Sequence, residues 1–93
     1  VIPRIEIKTK SKIDNNSSKN FTVIEFSSAD KPGLLFEISS NLKKLGLTVG
    51  LVKISTRRGS VEDSFYVKKM DGKKLLQKND INLVKESLKT ILL

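Results

Sequence analysis

Ser28-Ala29-Asp30-Lys31-Pro32-Gly33-Leu34-Leu35-Phe36-Glu37 joins an alternating segment, Phe21 to Ser27, to a segment of helical periodicity. Apolar residues two apart give way here to spacings of three and four, so the chain leaves a strand and enters a helix. Asp30 is of the type that caps helices, Pro32 suits a first helical turn, and Gly33 lets another molecule approach the backbone closely. A helix start beside a glycine favours a small anion, such as the carboxylate of a metabolite. The same residues also read as a well-made helix start with no ligand, and the flanking sequence decides between the two.

Upstream, Thr22, Ile24 and Phe26 share one face of the strand, and Phe21, Val23 and Glu25 share the other. Apolar groups on both faces imply a strand covered on both sides. Downstream, Leu34, Leu35, Ile38, Leu42 and Leu45 form one helical stripe, and Gly46 supplies a left-handed stop. Thr48 to Thr56 reads as a strand in which Val49 and Val52 differ in parity, so a bulge is expected at Gly50. Arg57-Arg58-Gly59-Ser60 is the turn of a hairpin whose second strand, Val61 to Lys68, sets Phe65 and Val67 on the face of Val61. Asp63 has that same inward parity. A carboxylate there sits at the sheet's end or finds partners, and a satisfied structural acid is expected. After a turn at Met70-Asp71-Gly72-Lys73, Leu75 and Leu76 lie in an extended connection. Asn79 or Asp80 then caps a helix carrying Ile81, Val84, Leu88 and Ile91.

At the N-terminus, Arg4 to Lys8 alternates around Ile5 and Ile7 as an edge strand, and Thr9 to Asn20 reads as a polar loop. The element order is therefore ββαββα, an α+β ferredoxin-like sandwich. Its sheet is four-stranded and mostly antiparallel, with both helices on one face. The N-terminal strand replaces the last edge strand usual for such folds. The second sheet face, with Phe21, Val23 and Tyr66, is expected to meet another subunit or a neighbouring domain.

The chain of 93 residues makes one small domain, residues 1–93. Starting on Val1 and closing on Leu92-Leu93, it is expected to be a piece of a larger protein. It has no cysteine and no histidine. Thiol nucleophiles, zinc ribbons, the commonest general base and every Ser-His or Cys-His arrangement are thereby removed, so no catalytic residue and no metal ligand set is assigned. No cofactor is expected in this domain. Cysteine-free sequence is compatible with a reducing cytoplasm, the expected compartment, and no apolar run approaches a bilayer's thickness. A formal charge of +8 comes from scattered lysines, of which only Lys68, Lys69, Lys73, Lys74 and Lys78 are dense enough to suggest a contact patch.

Taken together, Thr22-Val-Ile-Glu-Phe26, Asp30-Lys-Pro-Gly-Leu-Leu-Phe-Glu-Ile38, Leu45-Gly-Leu-Thr-Val49, Ile54-Ser-Thr56 and Asp63-Ser-Phe-Tyr-Val67 resemble the ACT domain family. Within it, the resemblance is nearest to ACT domains that close bifunctional uridylyltransferase and uridylyl-removing enzymes acting on the nitrogen-regulatory PII protein. It covers roughly residues 3 to 93. The resemblance implies a regulatory module binding an amino acid, glutamine in those enzymes, at the turn before the first helix. It places effector contacts at Asp30, Lys31, Pro32, Gly33 and Leu34, with Leu47, Thr48 and Val49 added across an interface. Implied partners are a further ACT domain and the catalytic domains of a parent enzyme, none of them in this chain. Three features depart from the family pattern: a long first hairpin around Lys8 to Lys12, Gly50 where a small or polar side chain is common, and Lys31 where arginine is frequent. Lysine in place of arginine loses a bidentate anchor.

Two other readings stand beside this one. RNA-recognition modules share the element order and the chain is basic, although Tyr66 and Phe21 are the only candidates for a stacking platform. A docking or dimerisation module without a ligand has the same fold.

Overall fold

β-branched and aromatic residues alternate with polar ones along Thr22–Ala29 and Ser60–Lys69, and these segments form the two central strands of an antiparallel sheet. The computed structural model describes residues 9–92. In chain order the elements are β1 (Lys10–Asp14), β2 (Thr22–Ala29), α1 (Leu34–Lys44), β3 (Leu47–Lys53), β4 (Thr56–Arg57), β5 (Ser60–Lys69) and α2 (Lys78–Leu92). The strands lie in the order β1-β2-β5-β3, with the short β4 also paired to β5. All described pairings are antiparallel. This is the expected α+β ferredoxin-like arrangement, with an N-terminal strand at the edge beside β2, but the sheet has five strands rather than the expected four because Thr56–Arg57 pairs separately as β4.

That edge strand is Lys10–Asp14, within the stretch expected to be loop. The expected strand over 4–8 lies outside the described residues. Lysine-rich composition misleads at this position because an edge strand needs one covered side only, and here Ile13 alone packs against the core. Asp14 then closes the strand. Its carboxylate accepts hydrogen bonds from the backbone N–H of Asn16 at 2.7 Å and of Ser17 at 3.2 Å, and from the Ser17 hydroxyl. The Ser17 hydroxyl, followed by the Asn16 amide, holds the Asp14 carboxyl below its ordinary value.

Residues of one parity on β2 and β5 face the helices. Ile24 opposes Phe65 and Thr22 opposes Val67. Together with Ile38 and Leu42 of α1 and Leu88 of α2 these side chains are sealed from solvent. Each large apolar side chain so buried contributes about 1.5–3 kcal/mol. Both helices pack on this face, where Asn41 of α1 donates to the Ser87 hydroxyl of α2. On α1 the buried residues are Leu34, Ile38 and Leu42, while Leu45 is the C-cap and 38% exposed. On α2 they are Val84, Leu88 and Leu92, and Ile81 and Ile91 pack at the margin. Neither Asn79 nor Asp80 caps α2, because the helix starts at Lys78 and both fall in its first turn. Asp80 there still complements the helix dipole.

The expected shift in β3 occurs where the parity argument puts it. Val49 opposes Val67 and Leu51 opposes Tyr66, with the irregularity between them at Gly50. The strand expected to run to Thr56 stops at Lys53, and Thr56–Arg57 pairs separately with the start of β5. Arg58 and Gly59 both have positive φ, 40° and 80°, as a two-residue primed hairpin turn requires.

Extended residues between β5 and α2 are fixed by polar contacts with the β1–β2 loop. The buried Thr22 hydroxyl donates to Asn15 Oδ1 at 2.5 Å and accepts the Leu75 N–H at 2.8 Å. Asn15 Nδ2 donates to the Leu75 carbonyl at 2.9 Å, and the Lys74 ammonium donates to the carbonyls of Asn15 and Ser18.

On the sheet face away from the helices, Phe21 and Tyr66 meet edge to face with centroids 6.2 Å apart. The Lys68 ammonium lies 4.6 Å from the Phe21 centroid and that of Lys53 lies 5.2 Å from the Tyr66 centroid. Gly50 lies beside the Phe21 ring, where an added Cβ would stand 2.6 Å from Phe21 Cε1. The ring must therefore shift to admit any side chain.

Gly50→Ala is expected to cost about 1–3 kcal/mol by overpacking. Removing the ring should restore part of that loss, so thermal or urea melts of a Gly50→Ala, Phe21→Ala double-mutant cycle should show strong coupling; simple additivity rejects the contact. A second expectation concerns pH. The folded Asp14 carboxyl ionises below its unfolded value, so the turn's contribution is present above the unfolded value and is lost as pH falls through the folded one. NMR titration should find Asp14 ionising below the range usual for aspartate, and Ser17→Ala should move it upward.

Candidate functional site

Where β2 ends, the Asp30 N–H donates to the Gly59 carbonyl at 2.8 Å, tying this corner to the β4–β5 turn. The chain then makes a tight turn before the helix. Leu34 N–H donates to the Lys31 carbonyl at 3.2 Å, and Gly33 has φ 74° and ψ 8°. Proline at the second position and a positive-φ glycine at the third make this a type II turn. Gly33 is therefore the N-cap of α1, and no side chain caps the helix. The expectation that Asp30 caps the helix and Pro32 opens it is corrected. The turn occupies Lys31 to Leu34, which moves the helix start past both residues.

This displacement has a chemical consequence. Glu37 N–H takes the Gly33 carbonyl, while the N–H groups of Leu35 and Phe36 have no acceptor among the described residues. Those donors stand at the positive end of α1, at the surface, with Phe36 79% exposed. A Cβ built on Gly33 would meet nothing within 4 Å. The corner is open to a small molecule.

Asp30, Lys31, Pro32, Gly33 and Leu34 all line one cleft of about 340 Å³, at the small end of the range for metabolite sites. Its other wall comes from the sheet's end: Ile54 from the β3–β4 link, Thr56 of β4, and Val61 and Asp63 of β5. Asp63 is 2% exposed. Its Oδ1 accepts the Ser55 N–H at 3.0 Å, but its Oδ2 is buried with no partner. The expectation of a satisfied structural acid holds for one oxygen only. Asp63 also borders a shallower depression with Lys10, Lys12, Glu25 and Glu62. Its parity with Phe65 places the side chain on the helix side, so the Gly33 cleft is the relevant one.

Leu47, Thr48 and Val49 are not in this cleft. They start β3 beyond the opposite end of α1 and line a second depression with Ser39, Lys43, Gly46 and Met70. The Thr48 hydroxyl there donates to Met70 Sδ at 3.7 Å. Next to it lies an apolar hollow of about 350 Å³ beside Leu45, Met70 and Leu83. Eleven residues of α1 separate the two ends.

Periodicity alone could not find Ile54, Thr56 or Val61, because they join the site through strand pairing. Asp63 did leave a signal, its inward parity in an otherwise apolar row. Among the described residues no cluster of three or more acidic side chains is placed to hold a metal ion. No described helix is long and apolar enough to cross a membrane.

A family model described as "ACR9-like, ACT-like domain" matches residues 10–93. Curated proteins named bifunctional uridylyltransferase/uridylyl-removing enzyme are also similar. The one from Azospirillum brasilense is 41% identical over 76 residues, and those from Cereibacter sphaeroides and Rhodospirillum rubrum are 38% and 34% identical over 76 residues. Each alignment covers 82% of this chain and 8% of the relative's length. No solved structure matches the chain.

Gly33→Ala tests the turn directly. The Cβ has room, so the only expected cost is left-handed backbone strain, about 1–2 kcal/mol. Chemical denaturation should show Gly33→Asn losing less than Gly33→Ala; equal stability of all three proteins contradicts the positive φ.

Proposed function

The chain belongs to the ACT-like domain family, and from that premise we propose that it is the effector-sensing module of a uridylyltransferase/uridylyl-removing enzyme. The effector is an amino acid, glutamine first, and its carboxylate sits on the open amides at the start of α1 beside Gly33. One observation carries this reading: a helix start with no side-chain cap facing a cleft of metabolite size. Lys31 adds positive charge to the same corner. Catalytic domains elsewhere in such an enzyme are the partners that sensing controls. The supporting comparison is with relatives bearing that name, which the chain matches over a short part of their length.

A second ACT domain completes the picture. Leu47, Thr48 and Val49 lie too far along α1 to join the Gly33 cleft within one chain. As effector contacts they come from a neighbouring copy. The mouth of the cleft is apolar, with Ile54 59% and Phe36 79% exposed, and covering it favours such an association. Signalling requires that effector binding favour one of two arrangements of these domains. The site of action is cytoplasmic.

A ligand-free docking module is the second reading, favoured by Met70, Leu76 and Leu83, which are 80%, 66% and 60% exposed at the other end of the domain. The geometry gives RNA binding less support. Phe21 and Tyr66 meet edge to face and each ring lies beneath a lysine ammonium, so neither presents an open stacking platform.

Calorimetry with L-glutamine is expected to show saturable binding that Gly33→Val abolishes while the variant still melts cooperatively. Equal affinity in the variant rejects the site. A melting temperature unmoved by a panel of amino acids favours the docking module instead, because a ligand selective for the folded state raises its stability.

A further inference from the structure

We infer that Asp63 is the acceptor for the effector's ammonium group, so the cleft selects molecules that carry an amine as well as a carboxylate. The inference rests on the proposed effector site at Gly33 and adds the residue that reads the second charge.

Asp63 is 2% exposed, and a carboxylate at that depth has all its oxygens satisfied when it serves structure alone. Oδ1 meets this condition through the Ser55 N–H, and Oδ2 does not. No other buried side-chain polar atom among the described residues lacks a partner. Asp63 belongs to the wall facing Gly33 and the uncapped start of α1. One side of the cleft thus offers N–H donors at a positive helix end and the other offers a carboxyl oxygen without a partner. The two ends of a zwitterion need that pairing of donors and acceptor. Asp30 supplies no equivalent, since its side chain is at the exposed lip, where water competes for its oxygens.

Oδ2 is closed to solvent. An ammonium reaches it by displacing part of the wall, where Ile54 of the β3–β4 link is 59% exposed and so lightly packed. Binding therefore both pairs a buried oxygen and reorders the β3–β4 link, whose Ser55 already donates to Oδ1.

The test compares L-glutamine with glutaramate, the same molecule without its α-amine, on the unmodified chain and on Asp63→Asn. Asparagine keeps an oxygen for Ser55 N–H but puts an amide nitrogen, a donor, in place of the acceptor Oδ2. The unmodified chain should bind glutamine roughly ten- to a hundredfold tighter than glutaramate, the worth of one charge-assisted hydrogen bond. Asp63→Asn should bind both at the weaker level, with NMR spectra confirming its fold. A variant that keeps the glutamine preference overturns the role of Asp63. Equal affinity of the unmodified chain for the two ligands does the same without relying on the variant's folding. In either case, glutamine binding that is lost in Gly33→Val leaves the effector site standing. Absence of glutamine binding to the unmodified chain overturns both the site and this inference.

Discussion

The register between β2 and β5 is the constraint on which the rest depends. Pairing Ile24 with Phe65 turns both into the core and leaves Val23 and Tyr66 on the opposite face. The same ladder sets Phe26 against Asp63 at the end of the sheet, where the carboxylate meets the link after β3. A slip of one residue would exchange the two faces, exposing Phe65 and burying Tyr66 among the helices. The Asp30 to Gly59 hydrogen bond ties the end of β2 to the turn that opens β5, and so carries that register into the loop before α1. Core packing and the geometry of the cleft are thus two results of one alignment.

Much of the fold was legible in the sequence. Both helices, both central strands, the stop at Gly46, the hairpin at Gly59 and the bulge at Gly50 follow from spacing and residue type, because in each case one physical requirement dominates. The edge strand did not, since Lys10–Asp14 has polar composition and gains its structure from backbone pairing to β2. Local residue preferences point to an earlier helix start than the structure has, for a related reason. Asp30 and Pro32 suit a cap and a first turn locally, but Pro32-Gly33 satisfies a type II turn that uses the same residues before the helix begins.

The candidate site was legible in one half. Asp30 to Leu34 are contiguous, so a motif could locate them. Ile54, Thr56, Val61 and Asp63 reach the cleft across the sheet, and that juxtaposition depends on the hairpin register and on the interruption of β3 after Lys53. Leu47 to Val49, next to α1 in sequence, lie at its far end for the plain reason that a helix carries the chain away from its start.

The node of Asn15, Thr22, Lys74 and Leu75 bears on how the molecule comes apart. It links the first hairpin of the described chain to the connection before its last helix, across 53 to 60 residues. Detaching α2 would strip the buried Thr22 hydroxyl of its donor from Leu75, and melting the hairpin would leave the Lys74 ammonium without its two carbonyls. Neither the hairpin nor the connection before α2 can loosen without penalising the other. The domain is thereby closed into a single cooperative unit, and strain introduced at one margin is felt at the opposite one.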